Sequence, residues 1–485
     1  MVVVVGGVLV LRLHAFLALT LGALVVGGLT TQQNIEDYAR IDAQNDAQKK
    51  RLTGSARELH IEQRTQSVSE ALSKQATFSR VADGFGKTCT SIGILIALAS
   101  IIGKCVLDSG AADRIVRSSL RVLGEKRAPL AFLGSGFLLG IPVFFDTVFY
   151  LTLPLGKAMA MRTGRNYLLY IMAIGAGATM THSLVPPTPG PLTAAEFLGV
   201  PLGTMILVGL AVGSITATSG YAYALWANSR WEVPLRDSPD ISLEKLKALT
   251  QQDESELPPL WLSLLPILLP VLLIGGVEVG KGLGWKVGDD FSGQMAGIVY
   301  TMGEKNMALL VSAGISMLTL VFWKHTSRKE LAVALEGAIT GAGSIILITA
   351  AGGAFGTTLM QTGIGAGLEN LQGESLWMIV AAWGLTALIR TAQGSATVAM
   401  ITAAGVFAGV AASGTLTFNP VYLAVAIGCG SKPIAWMNDS GFWVVCKMSG
   451  MTETEALKLW TPMTTLMGVV GLGVTLLGAW MFPLL

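Results

Sequence analysis

Apolar stretches recur along the whole chain, near residues 2–11, 14–30, 88–107, 128–156, 167–194, 201–227, 259–280, 306–323, 331–358, 375–412, 420–446 and 463–485. Most reach the roughly 20 residues that a helix needs to cross a bilayer. The pattern therefore predicts an all-α polytopic membrane protein. Polar residues dominate 31–84 and 228–257. The first of these is rich in Ala, Gln, Glu, Lys and Arg, which favours helix. Neither has the length or the apolar content to bury a core of its own. Stretch 449–461 reads as a separate capped helix, Thr452 preceding Glu455 by three residues. Trp460 and Trp480 read as interface anchors.

Two apolar segments are too long and too interrupted for simple spans. Segment 128–156 carries Gly134, Gly136, Gly140 and Pro142. Arg114, Arg117, Arg121, Lys126 and Arg127 precede it, and Lys157, Arg162 and Arg165 follow it. Basic clusters mark the cytoplasmic side, so both ends lie there. This predicts a re-entrant hairpin with its tip at Pro142-Val143-Phe144-Phe145-Asp146-Thr147; the other reading is one long tilted helix. Segment 375–412 has neutral flanks and breaks at Arg390-Thr391-Ala392-Gln393-Gly394-Ser395-Ala396-Thr397. It reads as a second hairpin, entering from outside.

Two further segments are broken helices. In 167–194, Thr181-His182-Ser183-Leu184-Val185-Pro186-Pro187-Thr188-Pro189-Gly190-Pro191 sets four prolines within six residues. Proline removes a backbone donor and clashes with the preceding turn. In 420–446 the interruption is Ser431-Lys432-Pro433-Ile434-Ala435-Trp436-Met437-Asn438-Asp439-Ser440-Gly441. Open backbone at membrane depth is tolerated only inside protein or along a watery cavity. Secondary transporters build substrate sites from such breaks. The order of elements also repeats: 14–30, 88–107, hairpin, 167–194 and 201–227 match 306–323, 331–358, hairpin, 420–446 and 463–485 in opposite orientation. The predicted organisation is an N-terminal transmembrane segment (1–31), a periplasmic polar helical insert (32–84), a first repeat (85–227), a cytoplasmic loop (228–258) and a second repeat (259–485). A span should precede Arg12 by this symmetry, and 2–11 is too short to supply it. The start lacks a basic region before its apolar run, so it reads as retained rather than as a signal peptide.

Composition sharpens this picture. Of 485 residues, 52% are hydrophobic and 13% charged, against about 25% charged in soluble domains. Glycine, with 58 residues, is abundant, and small residues let membrane helices approach closely. Four cysteines, all in or beside apolar spans, suggest no disulfide framework. There is no phosphate-binding GxxxxGK[ST], no HExxH and no CxxC pair. No cofactor, metal, nucleic acid or catalytic set is expected.

The candidate chemistry lies in the breaks. Half-helix N-termini aimed inward suit a carboxylate. Thr147, Thr181, Ser183, Thr188, Ser395, Thr397, Asn438 and Ser440 can bond hydroxyls, with Gly190 and Gly394 beside them. Asp146 and Asp439 are intramembrane carboxylates, costly to place and therefore functional candidates. Each is either a proton carrier or a helix cap. His182 is the third proton-coupling candidate, or else a hydrogen-bonded structural group. Lys432 either meets an anionic substrate or pairs with Asp439 or Asp146. Arg390 either meets the substrate, snorkels or braces its hairpin.

These motifs resemble the gluconate permease family of bacterial proton symporters. The likeness rests on Gly140-Ile141-Pro142-Val143-Phe144-Phe145-Asp146-Thr147-Val148-Phe149, Thr181 to Pro191, Gly394-Ser395-Ala396-Thr397-Val398-Ala399 and Asn438-Asp439-Ser440-Gly441-Phe442-Trp443. It runs from Phe78 to the C-terminus, plus Leu13 to Leu29. The resemblance implies an inverted-repeat transporter of the inner membrane, often a homodimer. It implies as substrate gluconate, another sugar acid, glycerate or D-serine. Two departures stand out: residues 32–77 look inserted, and the family's first helix is mostly missing. The expected function is import of gluconate or a related small hydroxy-carboxylate by proton symport. Sodium coupling, a passive channel, and an intramembrane enzyme using His182 with an aspartate are the competing readings.

Overall fold

A computed structural model describes residues 13–50, 52–236, 256–288, 291–363, 375–413 and 416–484. The expected short first segment, 2–11, and most of the loop 228–258 lie outside the described residues. Helix α1 is Ala15–Leu29, followed by α2 (Gln32–Lys49) and α3 (Gly54–Lys74), which pack on each other. Then come α4 (Thr77–Asp108), α5 (Ala111–Leu123), α6 (Ala128–Leu139), α7 (Phe145–Thr163), α8 (Tyr167–Leu184), α9 (Pro189–Phe197) and α10 (Leu202–Arg230). The second half holds α11 (Leu260–Gly282), α12 (Phe291–Met302), α13 (Lys305–Lys324), α14 (Arg328–Met360), α15 (Ser375–Gln393), α16 (Ala396–Ala412), α17 (Val421–Gly430), α18 (Ser440–Ser449) and α19 (Glu453–Met481). Among the described residues, eight helices are long and apolar enough to cross a membrane.

Two boundaries differ from the sequence reading. Helix α4 begins at Thr77, so the boundary between insert and first repeat at 84/85 falls inside a helix. Residues 77–87 are polar, and hydropathy marks contact with lipid rather than helix. At the other end, 449–461 is no separate helix. Ser449 ends α18, and residues 453–461 are the first part of α19, which runs through Pro462. Pro462 has no N–H for the carbonyl of Lys458 one turn back. The Tyr223 hydroxyl donates to that carbonyl at 3.4 Å. A capping box of Thr452 with Glu455 starts the helix.

The contacts repeat between the halves. Helix α1 packs on α14 as α13 packs on α4, and α4 packs on α14. Helix α6 packs on α8 as α15 packs on α17, and α8 on α10 as α17 on α19. The second arms exchange partners, α7 meeting α18 and α16 meeting α9.

Every residue of α8 and of α17 is buried. These broken helices are central, which is where interrupted backbone costs least. Glycine makes the closeness possible. A Cβ on Gly177 would collide with the Leu133 carbonyl and sit 2.8 Å from Phe137 N; one on Gly136 would sit 2.8 Å from the Ile174 carbonyl. A Cβ on Gly428 would sit 2.6 Å from the Ser183 carbonyl, so the two broken helices cross beside the first break. Because the obstacle at Gly177 is backbone, Gly177→Ala should separate α6 from α8 and destabilise the fold by about 1–3 kcal/mol, the cost of overpacking. Thermal unfolding in detergent checks this, and an unchanged midpoint would contradict it.

Candidate functional site

A cavity of about 150 Å³ lies between the halves, with room for roughly five waters. Its walls come from the starts of α7 (Phe144, Phe145, Asp146), α16 (Ser395, Ala396, Thr397) and α18 (Asp439, Ser440, Gly441). Thr179 and His182 of α8, Ser431, Lys432 and Ala435 of the second break, Arg390 of α15, and Trp460 and Thr464 of α19 complete it. The first turn of a helix has N–H groups without intrahelical partners and carries partial positive charge. Three such turns meet here, beside a buried lysine.

One buried arginine joins the breaks. Arg390 Nε donates to the Ser431 carbonyl at 3.1 Å, Nη1 to the Gly394 carbonyl at 2.7 Å and Nη2 to Asp439 Oδ2 at 2.5 Å. The other carboxylate oxygen, Asp439 Oδ1, accepts from Gly441 N at 3.0 Å and caps α18. Asp439 is thus both paired and capping. Gly394 lies at φ +89°, and a Cβ there would collide with the Asn438 carbonyl. Only glycine lets the two breaks approach this closely.

Asp146 is held differently. It sits in the first turn of α7, faces the cavity, and makes no hydrogen bond or ion pair with any described residue. Lys432 is buried, and Nζ donates to Thr179 Oγ1 at 3.2 Å. His182 is buried against the Phe144 ring, centroids 5.6 Å apart, and its Nδ1 has no partner among the described residues. Trp460 is also buried, its ring 5.5 Å from that of Phe145. It is a wall of the cavity, not an interface anchor; Gly175 leaves the space that its ring fills. Trp480, by contrast, is exposed.

Of the residues singled out from sequence, Asp146, His182, Arg390, Ser395, Thr397, Lys432, Asp439 and Ser440 line this space. The others lie beside it. Thr181 donates back to the Gly177 carbonyl at 3.2 Å, and Thr188 closes the first break on the His182 and Val185 carbonyls at 2.8 and 2.9 Å. Ser183 Oγ is buried without a partner. Gly190 faces Met400, whose Sδ would be 2.8 Å from a Cβ there. Asn438 Nδ2 donates to the Thr391 carbonyl at 2.8 Å. Thr147 follows Asp146 in α7, outside the lining. Sequence reading missed Thr179 and Thr464, and placed Ser431 in the second break without giving it a role. Thr179 alone had a usable signal, lying three residues before His182 and so on the same helical face. Among the described residues, no cluster of His, Cys, Asp and Glu could hold a metal.

Central broken helices, a polar cavity between two similar halves and eight or more apolar spans define a membrane transporter of many helices. The GntP family permease model matches residues 64–481, and the chain belongs to that family. It is thus a permease rather than an enzyme, and a multi-pass protein of the bacterial inner membrane. An uncharacterised permease of Haemophilus influenzae is 34% identical over 84% of this chain and 84% of its own. The gluconate permease of Pseudomonas aeruginosa is 33% identical over 80% and 85%. Among solved structures, MtrF of Neisseria gonorrhoeae has a similar fold, with a TM-score of 0.60 at 14% identity over 84% of this chain and 85% of its own. The family match begins inside α3, so α1 and α2 both fall outside it.

Proposed function

We propose that this permease imports gluconate or a closely related sugar acid, one proton accompanying each anion. The carrying observation is the contrast between the two cavity aspartates: Asp439 is ion-paired, whereas Asp146 has no hydrogen-bond or ion-pair partner among the described residues. Charge bookkeeping in a desolvated space then favours co-transport. Arg390 and Asp439 cancel, leaving Lys432 and Asp146 as the opposed charges of the empty cavity. A monocarboxylate adds one negative charge, and burying it uncompensated is costly. Protonation of Asp146 restores the balance. The substrate carboxylate meets Lys432 and the helix starts of α16 and α18, while Ser395, Thr397, Ser440 and the unpartnered His182 nitrogen serve hydroxyl groups. Relatives called a gluconate permease and a low-affinity gluconate transporter support the substrate class. One relative, an L-idonate transporter, supports its breadth.

The helix pairs α6–α7 and α15–α16 are read as re-entrant hairpins, and the exchanged contacts between halves as an inverted repeat. Alternating access follows from movement of these elements against the remaining helices.

Radiolabelled gluconate uptake into proteoliposomes under an imposed proton gradient tests the reading, with glycerate, D-serine and other sugar acids as competitors. Gradient-dependent uptake that gluconate or a close sugar acid competes best is the expected result. Uptake that follows a sodium gradient at fixed pH would overturn the coupling. Lys432→Met keeps the side chain's bulk and removes its charge. It should raise KM roughly thirtyfold or more, the lower end of losing a buried charge pair. An unchanged KM would remove Lys432 from the site.

A further inference from the structure

A second cavity points to a ligand of another kind. A groove of about 670 Å³ separates α5 from the C-terminal half of α7. Arg117, Arg121 and Arg162 line it, together with Leu120, Leu155 and Met159. We propose that this groove binds an anionic phospholipid, its phosphate on the arginines and its acyl chains along the apolar wall.

Charge argues first. From Ala111 to Arg127 the chain carries Arg114, Arg117, Arg121, Lys126 and Arg127 against Asp113 and Glu125. Five cations less two anions leave +3, and Arg162 and Arg165 add to the same region. Guanidinium forks match phosphate oxygens geometrically. Arg162 is exposed and pairs with exposed Glu125, a partner near water that contributes little and exchanges readily. Arg117 pairs with Asp113 at 3.3 Å in a more enclosed position, and Arg121 is exposed at the end of α5.

Shape and position argue next. Helix α5 is amphipathic: Ala111, Ala112, Ile115 and Val116 are buried, while Val122 is 81% exposed at its end. A basic amphipathic helix of this kind lies at a membrane surface. Basic pockets between membrane helices hold lipid headgroups. A free phosphate would satisfy the arginines but not Leu120, Leu155 and Met159, so the occupant is a lipid. The site also has reach. Arg162 stands in the last turn of α7, whose first turn places Asp146 in the central cavity. A headgroup bridging Arg121 of α5 and Arg162 would fix that arm to its neighbour. Binding itself does not depend on the transport reading.

Native mass spectrometry of the full-length protein in mild detergent tests this, with phosphatidylglycerol, phosphatidylcholine and glycerol phosphate as probes. Discrete phosphatidylglycerol adducts, without matching adducts of the other two, are expected. Arg121→Gln should weaken them roughly fivefold, and the R117Q/R121Q/R162Q variant roughly a hundredfold, from the usual value of each basic residue near anionic lipid. Equal adducts with phosphatidylcholine would overturn the proposal. So would binding of glycerol phosphate alone, or full retention of phosphatidylglycerol by the single variant, which changes only an exposed side chain.

Discussion

Asp146→Asn abolishes gradient-driven accumulation while leaving the protein folded and able to exchange substrate. With one proton per anion, an inward gradient of two pH units supports about a hundredfold accumulation at equilibrium, since each unit is worth about 1.36 kcal/mol. In the variant the accumulation ratio falls to about one. Asparagine keeps the shape of the side chain and cannot gain or lose the proton. The substrate carboxylate then meets Lys432 without a second uncompensated negative charge, Asp439 being paired with Arg390, so exchange between labelled and unlabelled pools continues. Asp146 makes no hydrogen bond or ion pair with a described residue, so its loss leaves no partner stranded. Equal accumulation by wild type and variant would show that the proton travels elsewhere.

The second large effect is on stability. Asp439→Asn preserves an oxygen to cap Gly441 N but leaves the Arg390 guanidinium buried without its counter-charge. Removing one member of a buried pair costs about 3–5 kcal/mol, a large share of a total stability of roughly 5–15 kcal/mol. Arg390→Lys should not be milder than expected of a conservative change. The guanidinium reaches the carbonyls of Ser431 and Gly394 and the Asp439 carboxylate at once, which one ammonium cannot reproduce. Thermal unfolding of Arg390→Met, Asp439→Leu and R390M/D439L gives a double-mutant cycle. The double variant is expected to be more stable than Asp439→Asn, because the stranded charge is gone. Additive losses would mean that the two side chains act independently.

The interruptions were legible in the sequence because each carries residues that oppose helix locally. Pro189 stands at the first position of α9, where proline is favoured, while the Thr188 hydroxyl before it closes the break instead of capping the helix. The clustering of Asp146, Ser395, Lys432 and Asp439 was also legible, since polar residues inside apolar segments must share protein surroundings. Pairing was not legible. Asp439 lies 49 positions from Arg390, and Lys432 lies 253 from Thr179; composition gives no means of choosing between partners at such separations. Helix continuity at Pro462 was hidden for the same reason, because the compensating hydroxyl belongs to Tyr223, 235 positions before Lys458. Trp460 was misplaced because a tryptophan near a segment end fits an interface equally well until Gly175 and Phe145 are known to surround it.

The most direct test is the proton count itself. Gluconate is added outside proteoliposomes that hold a pH-sensitive dye, with no imposed gradient and the membrane potential clamped. Internal acidification is read alongside labelled uptake. The account requires one proton to enter with each gluconate in the wild type, and none in Asp146→Asn. Gluconate entering the wild type with no acidification, or only when sodium is present, would contradict it.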